Sequence, residues 1–295
     1  MSRLKLPEFK STEEAFKYLR ENHDEIIAQK CAFPVKAEIC DLGCDSIEMS
    51  KSNFANKSSF IPDEIKTSED DSLSDEEVKV KAFANVSGWC DSHMDVLMRD
   101  SAKKTIKDKG ASNKQLIYHL KNHGRGTDDI IGKNVKLSLE DVDLKKYKIK
   151  SDIKTAQAIV GESVVSKKYD EKCFYLYQDG EIKQHSIGLM YVKIFFCMNS
   201  DAEEDEQYKK NWDKYYSEVI NKEKVDERGY FWAVTQIRLL EYSAVLWGSN
   251  ELSVTEEVSK ASITEEPSND TPPKTEGKSS SDTDSEKRRL ILLYS

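Results

Sequence analysis

The sequence has little of what builds large cores or dense cross-links. Aromatics make up 9% of 295 residues and hydrophobic residues 38%, with 12 glycines, 6 prolines, 6 cysteines and 5 histidines. An ordinary globular composition carries about 45–50% apolar residues, glycine included, so part of this chain is expected not to pack. No run of about 18 apolar residues occurs, which excludes a membrane-spanning helix. Met1 to Lys10 lacks the apolar stretch of a secretory signal. Acids outnumber bases 54 to 45, a net charge of −9, the opposite of the basic face that nucleic-acid phosphate attracts. Neither nucleic acid nor membrane is an expected partner, and the chain reads as cytosolic.

The cysteines are Cys31, Cys40, Cys44, Cys90, Cys173 and Cys197, too few for a disulfide framework at this length. Thiols are the default in a chain without a secretion signal. Cys31, Cys40 and Cys44 are spaced C-x8-C-x3-C, unlike the paired ligands of structural zinc. Ordinary free cysteines are expected, with no metal or cofactor.

Composition divides the chain into five parts. Residues 1–44 form an N-terminal helical element: Thr12 can cap a helix over 12–29, along which Phe16, Leu19, Ile26 and Ile27 recur near helical spacing. Residues 45–77 read as an acidic linker, since Asp63, Glu64, Glu69, Asp70, Asp71, Asp75, Glu76 and Glu77 leave too little apolar surface to offset ordering entropy. The core is expected at 78–250, mainly β with surrounding helices: strands near 78–86, 116–120, 130–139, 146–153, 182–198 and 230–247, and helices near 98–109, 155–166 and 203–218. Residues 251–286 hold ten acids against three lysines and no Phe, Trp or Tyr, and read as a disordered acidic tail. Residues 287–295, Lys-Arg-Arg followed by Leu290, Ile291, Leu292, Leu293 and Tyr294, read as a docking peptide.

Histidine is the usual base near neutral pH, and the candidates are His23, His93, His119, His123 and His185. His23 reads as solvated and His93 sits in a turn. His119 and His123 flank the end of an apparent strand and lead into Gly124-Arg125-Gly126, a place where reacting groups are commonly displayed. Among the serines, Ser186 opens an apolar strand two positions before Gly188, where the backbone allows close approach. Its hydroxyl needs a base. His185 points to the opposite face of a strand, so His119 or His123 would have to supply it. Glu241 interrupts the apolar run Ile237–Val245, a costly position for an unpaired carboxylate. It could orient a histidine or pair with Arg238 or Arg228.

These pieces, in this order, resemble the tailed-bacteriophage prohead maturation proteases, serine peptidases related to the herpesvirus assembly protease. Phe83-Ala-Asn-Val-Ser-Gly-Trp-Cys-Asp91-Ser-His-Met-Asp95 is similar to the family's opening strand and D-x-x-x-D turn. Leu116-Ile-Tyr-His119-Leu-Lys-Asn-His123 with Ile131-Gly132 resembles its histidine motif. Ser186-Ile-Gly188-Leu resembles its nucleophile motif, and Leu240-Glu241-Tyr-Ser243-Ala-Val245 its closing strand. The resemblance spans roughly 78–250. It implies a barrel-like core of the herpesvirus assembly protease type, Ser186 as nucleophile and His123 as base, with His119 the runner-up. Glu241 is the implied third member and Asp95 its alternative. The implied substrates and partners are phage major capsid and scaffold proteins and the protease itself, inside proheads assembling in the host bacterial cytoplasm. The turn after Asp91 lacks the family's Pro-Gly, and the loop from His123 to Gly132 is longer. The other reading is a non-catalytic internal scaffold or assembly protein that retains the fold. A small-ester hydrolase is disfavoured because no G-x-S-x-G elbow occurs.

Overall fold

Runs of β-branched and aromatic residues carry the architecture. The computed structural model describes residues 7, 9, 11–32, 35–36 and 65–262. In chain order the elements are α1 (Thr12–Ala32), β1 (Val35–Lys36), β2 (Lys66–Glu69), β3 (Glu77–Val86), β4 (Asp95–Leu97), α2 (Lys103–Lys109), β5 (Tyr118–Lys121) and β6 (Ile130–Asp143). They continue with β7 (Thr155–Ser166), α3 (Lys167–Gln178), β8 (Gln184–Met198), α4 (Glu206–Tyr215), α5 (Lys222–Arg228), β9 (Tyr230–Val245) and β10 (Thr255–Lys260). The chain is thus a mixed α and β protein: one large open sheet with a few helices. Its strands follow the order β1-β8-β9-β5-β6-β7-β3-β10-β2, with β4 added to β9.

The central pair is β8 and β9, strands of 15 and 16 residues joined antiparallel along nearly their whole length. Their apolar face meets α1 and α4 in the main core, where Leu19, Ile26, Phe196, Trp212, Phe231 and Trp232 are buried. A second cluster packs α3 against the strands through Phe174 and Tyr177, with Val78, Val80 and Val258. β3 shows why local sequence chose a strand: its first five residues alternate half-buried and buried, and its last five are buried throughout.

Several expectations are corrected. Residues 155–166 form β7 rather than a helix. Ala156, Ile159, Val160 and Val164 fit helical spacing, but a strand buried on both faces shows the same apolar density, and the β-branched residues tip the balance. Residues 146–153 are turns and irregular chain. The helix near 98–109 is confined to α2, while α3 and α5 were not foreseen. The acidic linker at 45–77 is ordered in its described part: Lys66–Glu69 pairs parallel with β10. An edge strand keeps its charged side chains in water while its backbone bonds the sheet. Ser68 Oγ adds hydrogen bonds to Glu257 (2.7 Å) and Ser259 (2.8 Å).

The disordered tail expected from residue 251 is ordered through Ser262. β10 lies between β3 and β2, and Leu252, Val254 and Val258 are buried. Three well-spaced apolar residues outweigh the acids around them. Residues 37–64, most of the acidic tail and the 287–295 peptide lie outside the described residues. The N-terminal helix is integral to the core: Leu19 and Ile26 are buried, Arg20 grips Asp205 at 2.7 and 2.9 Å, and Lys30 reaches Asp95 at 2.6 Å.

Candidate functional site

Strand β5 ends in a tight reversal at residues 121–124, closed by the hydrogen bond from Gly124 N–H to Lys121 O at 2.9 Å. Its central residues, Asn122 (φ 51°) and His123 (φ 52°), both adopt the left-handed conformation, the signature of a type I′ turn. Neither is glycine, and such a conformation costs of order 1–3 kcal/mol per residue unless its surroundings impose it. They do: Asn122 N–H donates to Ala244 O at 2.9 Å and His123 N–H to Ser243 Oγ at 3.1 Å. The turn is thereby clamped to the last residues of β9.

This clamp brings His123 to Glu241. His123 Nδ1 lies 2.6 Å from Glu241 Oε1, and Ser243 Oγ donates to Glu241 Oε2 at 2.7 Å. The His123 side chain is 1% exposed and Glu241 12%. Among the described residues the ion pair of Glu241 is with His123 and not with Arg238 or Arg228. Gly188 faces Glu241 across the β8/β9 ladder, and a Cβ there would stand 2.8 Å from the Glu241 Cδ and 3.0 Å from its Cγ. The missing side chain of Gly188 makes room for the carboxylate, a reason for glycine that its place beside Ser186 did not reveal.

Ser186 pairs with Ser243 in the same ladder. Directly opposed residues point to one face with Cβ atoms about 4.5–5.5 Å apart. Ser186 therefore shares a face with Ser243, Glu241 and the His123 turn, and it is buried. A carboxylate accepting from Nδ1 fixes the imidazole in the tautomer whose Nε2 carries the lone pair. Nε2 is buried with no hydrogen-bond partner, a state that buried polar atoms rarely keep. The arrangement holds an imidazole against a carboxylate, with Nε2 left over, on the face that carries Ser186. Ser243 bonds both Glu241 and the His123 backbone and so ties the two together. Its place on the face of Glu241 follows from the sequence, since residues two apart on a strand share a face.

The runner-up base, His119, belongs to a separate cluster. It lies one residue out of phase with the site on β5, pairs with Tyr242 and stacks on its ring at 4.4 Å between centroids. Its Nδ1 is 2.6 Å from Ser163 Oγ and its Nε2 3.2 Å from Tyr177 OH, while His185 Nε2 is 2.8 Å from the same hydroxyl. Tyr242 OH donates to Asn134 Oδ1 at 2.6 Å. Burial drives the His119 pKa well below its ordinary value, helped by His185, and burial takes His185 down to about 3. Both are neutral, structural imidazoles.

The alternative acid, Asp95, is equally remote. β4 meets β9 at Trp232 through Val234, whereas β5 meets it at Glu241 through Ala244. At about 3.3 Å per residue, nine positions separate the two carboxylates by roughly 30 Å along the strand. Asp95 instead anchors Lys30 and Tyr191 OH. Burial pushes its pKa up despite Lys30, and Asp91 adds to the rise. His93 stays in the Asp91 turn, its N–H bonded to Asp91 Oδ1 at 2.8 Å. His23 is half-buried against Tyr208 rather than solvated.

Cys31 is half-buried, and Cys40 and Cys44 lie outside the described residues. Among the described residues no group of three or more His, Cys, Asp and Glu is arranged to hold a metal, and no helix is long and apolar enough to cross a membrane. Compared with protein-family models, curated proteins and solved structures, the chain gives no match.

Two outcomes follow from this geometry. Gly188→Ala should displace the Glu241 carboxylate and abolish the downfield Nδ1 proton signal of His123 in NMR spectra, while Ala at the exposed Lys193, five positions along β8, should leave it; an unaltered signal in Gly188→Ala would contradict the packing. The second concerns acid. A histidine whose folded pKa is depressed takes up protons on unfolding, so stability is lost as pH falls below the unfolded value of about 6.5. The loss for His185 continues to about 3, at up to about 1.4 kcal/mol per pH unit. Denaturant titrations between pH 7 and pH 5 should show this slope, and His185→Gln should reduce it, leaving the share of His119.

Proposed function

We propose that the chain is a serine endopeptidase of the prohead maturation type, with Ser186 as nucleophile, His123 as general base and Glu241 as the acid that orients it. The observation that carries this reading is the His123–Glu241 contact with its unpartnered Nε2, on the face that Ser186 shares. In the proposed mechanism His123 Nε2 takes the Ser186 proton as Oγ attacks a peptide carbonyl. The resulting imidazolium is stabilised by Glu241 and returns the proton to the leaving amine, and water then hydrolyses the acyl-enzyme. Backbone N–H groups near Ser186–Gly188 are the candidate donors for the oxyanion.

The finer fold expectation, a barrel-like core of the herpesvirus assembly protease kind, belongs to this proposal. It is supported by the bridge between Gln184 and Val254 and by the backbone bonds His185 N–H to Ser253 O (2.9 Å) and Thr255 N–H to Lys183 O (3.0 Å). These contacts bring the segment before β10 back to the start of β8, so that β8-β9-β5-β6-β7-β3-β10 approaches a ring. Capsid and scaffold proteins of an assembling phage head, and the chain itself, are the proposed substrates.

The test is self-cleavage in concentrated solution, followed by intact mass. Wild type should yield defined fragments. Ser186→Ala should lower the rate by on the order of 10⁶, and His123→Ala should be comparably inactive. His119→Gln, with folding checked by circular dichroism, should retain cleavage. Wild-type fragmentation in Ser186→Ala would remove the nucleophile assignment, and a folded but inactive His119→Gln beside an active His123→Ala would move the base. A chain that stays whole at every concentration, and also leaves supplied capsid and scaffold proteins intact, would favour the non-catalytic assembly reading.

A further inference from the structure

β8 has β9 on one side, and its other edge is divided. At Lys183–His185 that edge is covered by residues 253–255. At Gly188–Leu189 it is covered by β1, antiparallel, with Lys36 opposite Gly188 and Val35 opposite Leu189. Ser186 lies between the two. At this same point the β8/β9 ladder is irregular: Gly188 is opposite Glu241 and Leu189 opposite Leu239, so β9 bulges at Leu240, and bulges collect beside functional groups.

We propose that the Gly188–Leu189 edge of β8 is a binding site for an extended peptide, and that residues 35–36 of this chain occupy it in cis. An unpaired strand edge offers a row of main-chain donors and acceptors, and an added strand is recognised through them largely irrespective of side chains. A two-residue strand is too short to hold itself there. What holds it is α1, whose last residue, Ala32, precedes Val35 by three positions. α1 in turn is fastened by Arg20 to Asp205 and by Lys30 to Asp95, carboxylates 0% and 1% exposed. Withdrawing the helix would leave both buried without these cations, a costly state. β1 is therefore a weak strand on a strong tether, held by effective concentration rather than by its own affinity. Resting on the reading of Ser186 as nucleophile, this occupancy makes β1 a resident competitor of substrate: an incoming peptide aligned beside Ser186 must displace it.

The full-length chain bearing Val35→Pro and Lys36→Pro tests this, because proline lacks the N–H and leaves the ladder. Amide hydrogen exchange over Gly188–Leu189 should accelerate at least about tenfold in the variant, as expected for loss of a local cover, while exchange along α1 stays unchanged. A synthetic peptide of residues 32–39 should slow it again. Labelling of Ser186 by a fluorophosphonate should be faster in the variant. Unchanged exchange over Gly188–Leu189, or no protection by saturating peptide, would overturn the proposal, as would faster exchange with Ser186 labelled at the same measurable rate in both forms. If exchange and peptide protection behave as expected but Ser186 is labelled in neither form, the peptide site stands and the nucleophile assignment fails.

Discussion

The register of β8 against β9 is the constraint on which the site depends. It sets Ser186 opposite Ser243 and Gly188 opposite Glu241, so one ladder brings a hydroxyl, a carboxylate and the space for that carboxylate to a single face. A slip of one residue would send the serines and Glu241 to the other side of the sheet. The register is secured by length and by burial, since the flanking Ile187, Leu189, Ile237, Leu239 and Tyr242 are all buried. β5 then lies parallel to β9, and its type I′ turn swings His123 over the strand end onto Glu241.

The two faces of this pair do different work. On one, His123, Glu241 and Ser243 form a short polar chain that ends in an unpartnered imidazole nitrogen. On the other, His119, His185, Tyr177, Tyr242 and Ser163 make a buried network whose histidines are held neutral by desolvation. Alternation along a strand separates them: Tyr242 belongs to the network while Glu241 and Ser243 belong to the site. Histidines a few residues apart in sequence thus have unrelated environments, and only one has a carboxylate to orient it.

Much of this was legible in the sequence, and the misses have physical causes. α1, β3, β8 and β9 were readable because long runs of one periodicity leave little ambiguity. Ser186, His123 and Glu241 could be singled out as a strand-end serine, a histidine beside a glycine turn and a carboxylate in an apolar run. Nothing local could choose between His119 and His123, because that choice is made by the parity of β5 against β9 and by two left-handed residues that are not glycine. β7 was misread because a doubly buried strand and a buried helix have similar apolar density. β2 and β10 give little sequence signal because short strands in polar surroundings take their stability from backbone pairing rather than from composition. β1 gives no sequence signal at all, since two residues have no periodicity.

The proposed action of His123 on Ser186 is tested most directly by fluorophosphonate labelling of the folded chain, with the modified residue located by peptide mass spectrometry. The proposed chemistry predicts a single adduct on Ser186, abolished in His123→Ala and slowed by about 10⁴ in Glu241→Gln, the order of loss seen when an orienting carboxylate is neutralised. An adduct on a different serine, or a Ser186 adduct forming at the same rate in all three proteins, would contradict it.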